Sequence, residues 1–319
     1  MPSEFALIER HFTRPAPGAV LGVGDDAALL QPSAGCELVM STDMLVAGTH
    51  FLADTDPQQL GWKALAVNLS DIAAMGAKPR WALLALALPA ATDSWIAAFA
   101  RGFFACADAF GVDLVGGDTT RGPRNICVTI VGEVPRGAAL LRSGAMPGDD
   151  IWVSGPTGLA ALGLAHLQGR CLLAEPARSR CLEALQRPQP RIDLGLALRG
   201  VASAAIDVSD GLLADLGHIL ERSRCAATLH WTALPAAAMA AGADPELAQA
   251  CLLGGGDDYE LVFTAAPERR SAVAALAARL HLPLARIGEI REGSAGELQL
   301  LDVDGRSMAW AQAGYDHFG

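Results

Sequence analysis

LVGGDTTRG, Leu114 to Gly122, is the stretch on which the reading of the fold turns. Leu114 and Val115 close a strand-like run that starts at Val112, and a Gly-Gly pair, an acid, two hydroxyls and an arginine follow. A strand delivered into a glycine-rich turn is how many α/β proteins cradle a phosphate. Here the turn carries a carboxylate, Asp118, which repels a phosphate unless a cation lies between them. A Walker loop is absent: the two lysines, Lys63 and Lys78, do not precede Ser or Thr.

Outward from that stretch, strand-like runs rich in β-branched residues occupy 36–43, 125–134 and 150–155. Asp56 followed by Pro57 reads as a helix start. The stripe Leu65, Leu69, Ile72 and Met75 then continues it until Gly76 and Pro79 end it. A second helix is expected over 92–111, and strands alternating with helices give an α/β (α+β) protein. The Gly- and Pro-dense stretch RSGAMPGDD, 142–150, marks a domain boundary, so the expected domains are 1–141 and 142–319. The Ala-rich piece 236–250 reads as a helical insertion.

Bulk properties exclude several classes. A net charge of −11 in 319 residues argues against nucleic acid or an anionic membrane as partner, both of which need clustered cations. The longest apolar run, Trp81 to Ala91, is broken by Pro89 and is shorter than the ~20 residues that span a bilayer. The N-terminus has Glu4 and Glu9 where a signal peptide has lysines and an apolar core, so a cytoplasmic protein is expected. Seven scattered cysteines with no C-x-x-C pair suggest neither a disulfide framework nor a zinc site. GVGDDA, 22–27, matches the dinucleotide fingerprint only formally, since two acids inside the loop oppose a pyrophosphate.

What remains is a set of acids at strand ends and in glycine-rich turns: Asp25, Asp26, Asp43, Asp71, Asp118, Asp207, Asp210, Asp257 and Asp258. Two carboxylates ~5 Å apart repel by roughly 3 kcal/mol at an effective dielectric near 20, so a cluster of them needs cations. Carboxylate and hydroxyl oxygens suit Mg²⁺ or Mn²⁺. The acid of GGDTTRG would then hold a metal, and the metal a phosphate, with Gly116 and Gly117 admitting the polyphosphate and Arg121 and Arg142 adding contacts.

The motifs GDDAALL (24–30), STDMLVAGTHF (41–51), KALAVNLSDIAAMGA (63–77), LVGGDTTRG (114–122), RSGAMPGDDIWVSG (142–155), IDVSDGL (206–212), GGDDYEL (255–261) and GYDHF (314–318) resemble, in order, those of the bacterial thiamine-monophosphate kinase family. That family lies in the aminoimidazole ribonucleotide synthetase superfamily. The resemblance implies an N-terminal mixed sheet that pairs with its twin in a homodimer, and a C-terminal α+β sandwich. It implies ATP and thiamine monophosphate as substrates, several Mg²⁺ ions, and direct in-line transfer to give thiamine diphosphate. By motif it makes Asp26, Ser41, Thr42, Asp43, Asp71, Asp118, Asp207 and Asp210 metal ligands, with Asp43, Asp71 and Asp118 catalytic through the metal. Gly117, Asp118, Arg142 and Ser209 would contact ATP, and His50, Asp257 and Trp310 the substrate, Asp257 standing where the family usually has Glu.

The acceptor phosphate has its second pKa at about 6, so it is largely anionic at neutral pH and needs no general base. The obstacle is repulsion between two polyanions, which metal ions relieve. Two alternatives stay open on the sequence: another ATP-using synthetase of the superfamily, or a nucleotide or metal sensor without catalysis.

Overall fold

A computed structural model describes residues 4–90, 92–310 and 314. The chain divides into two compact units, residues 1–72 with 77–137, and residues 73–76 with 138–319.

In the first unit the order is α1 (Glu4–His11), β1 (Cys36–Val46), α2 (Pro57–Ala74), β2 (Lys78–Leu88), α3 (Asp93–Phe110), β3 (Asp113–Arg121) and β4 (Asn125–Pro135). Asp56 caps α2 as its sequence suggests, its Oδ1 accepting the N–H groups of Gln58 and Gln59, both at 3.0 Å. The four strands lie in the order β1-β4-β2-β3. Strand β4 is antiparallel to both neighbours, and β3 runs parallel to β2, a connection that needs the α3 crossover. Helix α2 is buried on nearly all sides, with Leu65, Leu69 and Ile72 fully inaccessible. Its backbone meets α3 where both carry glycine: a Cβ on Gly61 would stand 2.0 Å from the Phe99 carbonyl oxygen, and one on Gly102 would stand 1.7 Å from that of Gln58.

Two local expectations change. The apolar run from Trp81 belongs to β2, a central strand that the alternation rule does not single out because its outer face, Leu83, Ala85 and Ala87, is apolar as well as the buried one. Strand β3 does not end at Gly116 and Gly117 but runs through them to Arg121. Its register on β2 slips by one, from Ala82 opposite Leu114 to Leu83 opposite Gly116, which leaves Val115 as a bulge. Gly117 has φ +152°, and a Cβ there would stand 1.8 Å from the Leu84 carbonyl oxygen. The glycines therefore serve close strand packing, and Asp118 sits on a strand, opposite Ala85.

The second unit contains β5 (Asp150–Ser154), α4 (Leu159–Leu167), α5 (Ala177–Gln186), α6 (Ile192–Leu198), β6 (Ala204–Asp207), α7 (Leu212–Ser223), β7 (Ala226–His230), α8 (Pro245–Gly254), β8 (Leu261–Ala265), α9 (Arg270–Leu280), β9 (Leu284–Arg291) and β10 (Leu298–Leu301). Its sheet has the order β10-β7-β9-β5-β8-β6, with only the β10 and β7 pair parallel. An apolar core that includes Ile151, Val153, Ile206, Leu212, Leu216 and Val262 lies between sheet and helices. The Ala-rich piece is a 3₁₀ turn at Met239–Ala241 followed by α8, which starts at Pro245 with Asp244 as its cap. Among the described residues no helix is long and apolar enough to cross a membrane.

Candidate active site

In the first unit the acids fall into two groups. Strand alternation puts Ser41 and Asp43 on the face of β1 that meets α2. There Ser41 Oγ donates to Asp71 Oδ2 at 2.5 Å, and the Asp43 backbone N–H donates to Asn68 Oδ1 at 3.1 Å. Asn68, almost fully buried, returns its amide N–H to the Ala64 carbonyl at 3.0 Å, so its carbonyl oxygen is aimed at β1. Asn68 and Asp71 lie three residues apart on one face of α2 and dock it onto Ser41 and Asp43. Thr42 points the other way, its hydroxyl 2.8 Å from that of Thr129.

The second group is Asp26 and Asp118. Across the sheet Met44, Cys127, Ala85 and Asp118 share one row, while Asp43, Val128, Leu84 and Gly117 share the next, so Asp118 and Asp43 face opposite sides of the pleat. A cavity of about 1090 Å³ takes in Asp25, Asp26, Gly116, Gly117 and Asp118, with Met40 and Leu83 on its apolar wall. Residues 21–29 turn back on themselves, Leu29 N–H donating to the Leu21 carbonyl at 2.9 Å, and no helix follows. The fingerprint GVGDDA is thus an acidic turn. Two bonds around Gly18 hold this segment to the sheet: Gly18 N–H to Asp113 Oδ2 at 2.7 Å, and Trp81 Nε1–H to the Gly18 carbonyl at 2.9 Å. His50, half-buried, accepts the Val46 N–H on Nδ1 at 3.1 Å, which leaves the ring proton on Nε2.

In the second unit the two remaining acidic motifs are tied together. Asp257 N–H donates to the Ser209 carbonyl at 2.9 Å, Tyr259 N–H to that of Val208 at 2.8 Å, and Val208 N–H to that of Glu260 at 2.8 Å. A Cβ on Gly256 would lie 2.5 Å from the Ser209 carbonyl oxygen, so the two segments touch backbone to backbone. Asp257 holds φ +70°, and its Oδ1 accepts the Tyr259 hydroxyl at 2.9 Å. Asp207 ends β6 and is buried, whereas Ser209 and Asp210 are half-exposed beyond it. Arg142 is exposed, its carbonyl accepting the Ser223 hydroxyl at 3.2 Å. Trp310 packs against the apolar core of this unit, and the GYDHF motif, Gly314 apart, lies outside the described residues.

Four supporting residues are not among the site residues expected from the sequence: Asn68 and Glu260, which lie inside quoted motifs, and Asp215 and Arg191, which lie outside them. Burial pushes the Asp215 carboxyl up to about 6 against the pull of three backbone N–H groups. Burial likewise drives Asp258 well above the ordinary carboxylate range, although Gly158 N–H donates to it at 2.6 Å. Glu260, also raised by burial, accepts both Arg191 and the Ser154 hydroxyl, the latter at 2.6 Å. An acid flanked by Tyr259 and the apolar run Leu261-Val262-Phe263 was the one available hint of a buried pair.

Among the described residues no three Asp, Glu, His or Cys side chains gather tightly enough to hold one ion by themselves. The donor sets that do form are carboxylate and hydroxyl oxygens without sulfur. They fit Mg²⁺, which typically takes one or two carboxylates and completes its shell with phosphate oxygens and water.

The family model described as AIR synthase related protein, N-terminal domain, matches residues 24–134, and that for the C-terminal domain matches residues 146–300. The chain is 46% identical over 322 residues to the thiamine-monophosphate kinase of Salmonella typhimurium (strain LT2), covering 99% of this chain and 98% of that one. It is similar to the crystal structure of thiamine-monophosphate kinase from Stenotrophomonas maltophilia K279a, with a TM-score of 0.86 and 49% identity over 96% of this chain and 98% of that one. It is also similar to AaThiL complexed with AMPPCP and TMP, with a TM-score of 0.77 and 31% identity over 99% of this chain and 97% of that one.

Proposed function

The chain belongs to the AIR synthase related family, among its thiamine-monophosphate kinases, and from that membership we propose that its paired aspartates hold the Mg²⁺ ions of the reaction. The chain phosphorylates thiamine monophosphate with ATP, giving thiamine diphosphate and ADP. The observation that carries the metal reading is the bonding of Ser41 to Asp71 and of the Asp43 backbone to Asn68, which docks one carboxylate-bearing element, α2, onto another, β1, with oxygen donors on both.

Because Asp43 and Asp118 face opposite sides of the pleat, the acids of this unit would serve two ions. Asp43, Asp71 and the Ser41 hydroxyl make one set, and Asp26 with Asp118 the other. Thr42 stays outside the side-chain set, its hydroxyl being turned to Thr129. Within the second unit, Asp207 and Asp210 would be the metal ligands. Magnesium bound there supplies charge neutralisation of the phosphoryl oxygens and alignment for in-line displacement. The protein's own part is positioning. Gly117 would meet the nucleotide through its backbone, and Arg142 and Ser209 would offer it donors. His50 presents Nε2–H to the acceptor, Asp257 is fixed by Tyr259, and Trp310 offers an aromatic face. No side chain is needed as a base.

The test is ADP release. With ATP, Mg²⁺ and thiamine monophosphate we expect ADP and thiamine diphosphate in equal amounts. Leaving out the acceptor, or chelating the metal, should lower the rate by roughly 10³-fold or more. ADP formed at an unchanged rate without the acceptor would reject this substrate, and full turnover in chelator would reject the metal sites.

We also infer a homodimer through the N-terminal sheet. On β1 the residues Leu38, Met40 and Met44 are 43%, 63% and 53% exposed on one face, interrupted by Thr42, and Leu83 of β2 adds 39% on the same face of the sheet. Light scattering should give twice the 33.0 kDa of one chain, and a monomer at micromolar concentration would refute the pairing. A cytoplasmic setting agrees with seven free cysteines.

A further inference from the structure

Two helix N-termini in the second unit are places where backbone N–H groups would ordinarily collect an anion. Both are filled by the protein's own acids. At α7 a single oxygen, Asp215 Oδ2, accepts the N–H groups of Ser209, Asp210 and Gly211 at 3.0, 3.0 and 3.1 Å. At α4, Asp258 Oδ2 accepts the Gly158 N–H at 2.6 Å, and Ala160 N–H also donates to this carboxylate.

The α7 case has a directional consequence. Three successive N–H groups converging on one point form a nest suited to a phosphate. With Asp215 inside it, none of these three backbone N–H groups is left for a nucleotide. Gly211 permits the curl, at φ +129° and with a Cβ only 2.7 Å from Gly254. Asp215 is 2% exposed, while Ser209 and Asp210 beside it are half-exposed. With the backbone N–H groups turned inward, the loop offers outward only oxygen: the Ser209 hydroxyl and the Asp210 carboxylate. Among the described residues that carboxylate accepts no hydrogen bond.

We propose that Asp215 is a positioning residue that turns the α7 N-terminus from an anion nest into a cation-presenting loop, by taking up its three N–H groups and thereby orienting Ser209 and Asp210. The inference rests on the reading of Asp210 as a metal ligand. Asp215 itself touches neither metal nor substrate.

The experiment is Mn²⁺ binding to the full chain, followed by electron paramagnetic resonance with the metal alone and with the nonhydrolysable nucleotide AMPPCP. Thermal unfolding of each variant is recorded alongside. Asp210→Asn sets the scale for loss of a ligand. Asp215→Ala should weaken Mn²⁺ binding about as much as Asp210→Asn, by tenfold or more. Asp215→Asn keeps an oxygen able to accept the three bonds and should stay within about threefold of the parent. A purely structural Asp215 would lower the melting temperature without changing Mn²⁺ affinity. If Asp210→Asn weakens binding and folded Asp215→Ala does not, the inference is overturned while the metal reading stands. If neither weakens it, the metal reading of Asp210 fails and takes this inference with it. Should Asp215→Ala not fold, weakening by Asp215→Asn equal to that of Asp210→Asn would also count against the proposal.

Discussion

Asp43→Ala and Asp71→Ala should each lower kcat by roughly 10³-fold, a loss that no concentration of thiamine monophosphate restores. The reason is electrostatic. Two polyanions must approach, and the charge of these carboxylates is what would keep a cation between them. Asp71 also accepts the Ser41 hydroxyl, and loss of one such bond costs only about 1 kcal/mol, so the variants should remain folded. Asp71→Asn separates the two roles. Its amide oxygen still accepts the hydroxyl, yet its charge is gone, so it should be as inactive as Asp71→Ala while melting closer to the parent. Parent-like turnover in Asp43→Ala or Asp71→Ala would remove the metal assignment. An active Asp71→Asn beside an inactive Asp71→Ala would make the hydrogen bond, rather than the charge, the essential feature.

The parts of this molecule legible from sequence are those governed by local rules. The cap at Asp56, the stripe on α2 and the β-branched runs of β1, β4 and β5 announce themselves because neighbouring residues decide them. Strand β2 does not, since its exposed face carries Leu83, Ala85 and Ala87, and apolar residues on both faces erase the polar alternation that marks a half-exposed strand. The glycines of β3 mislead for a related reason: a glycine in a turn and a glycine under a neighbouring carbonyl look alike until the partner strand is known, here at Leu84. The acids could be gathered into one list from composition. That Asp43 and Asp118 lie on opposite faces of the pleat depends on a one-residue register slip at Val115, which no pattern in the sequence records. Arg191 and Glu260, 69 positions apart, are beyond any local reading.

That pair carries the largest expected effect on stability. Arg191 Nε donates to Glu260 Oε2 at 2.6 Å, and a second guanidinium nitrogen bonds Oε1, so the contact is bidentate. The two side chains are 24% and 5% exposed. Removing one partner of such a pair leaves the other charge in a poorly solvated place, at a cost of about 3–5 kcal/mol. Arg191→Ala should therefore lower the melting temperature by roughly 6–20 °C, using about 2–4 °C per kcal/mol for a unit of this size. The pH dependence has a definite sign. Without the guanidinium, burial raises the Glu260 carboxyl further, so the folded state binds a proton that the unfolded state releases. Stability of the variant then falls as pH rises above the ordinary value of 4.5, and the deficit against the parent is smallest in acid. Arg191→Met combined with Glu260→Leu removes both charges and should recover most of the loss, because an apolar replacement of the whole pair avoids the stranded charge. The Ser154 hydroxyl, which gives its proton to Glu260 and accepts the Leu261 N–H, would lose its acceptor and keep the recovery incomplete. Glu260 also anchors the segment that carries Asp257, so the repaired variant should regain stability ahead of its affinity for thiamine monophosphate. An Arg191→Ala protein melting within 2 °C of the parent would mean that water reaches Glu260 and that the pair does not hold this loop.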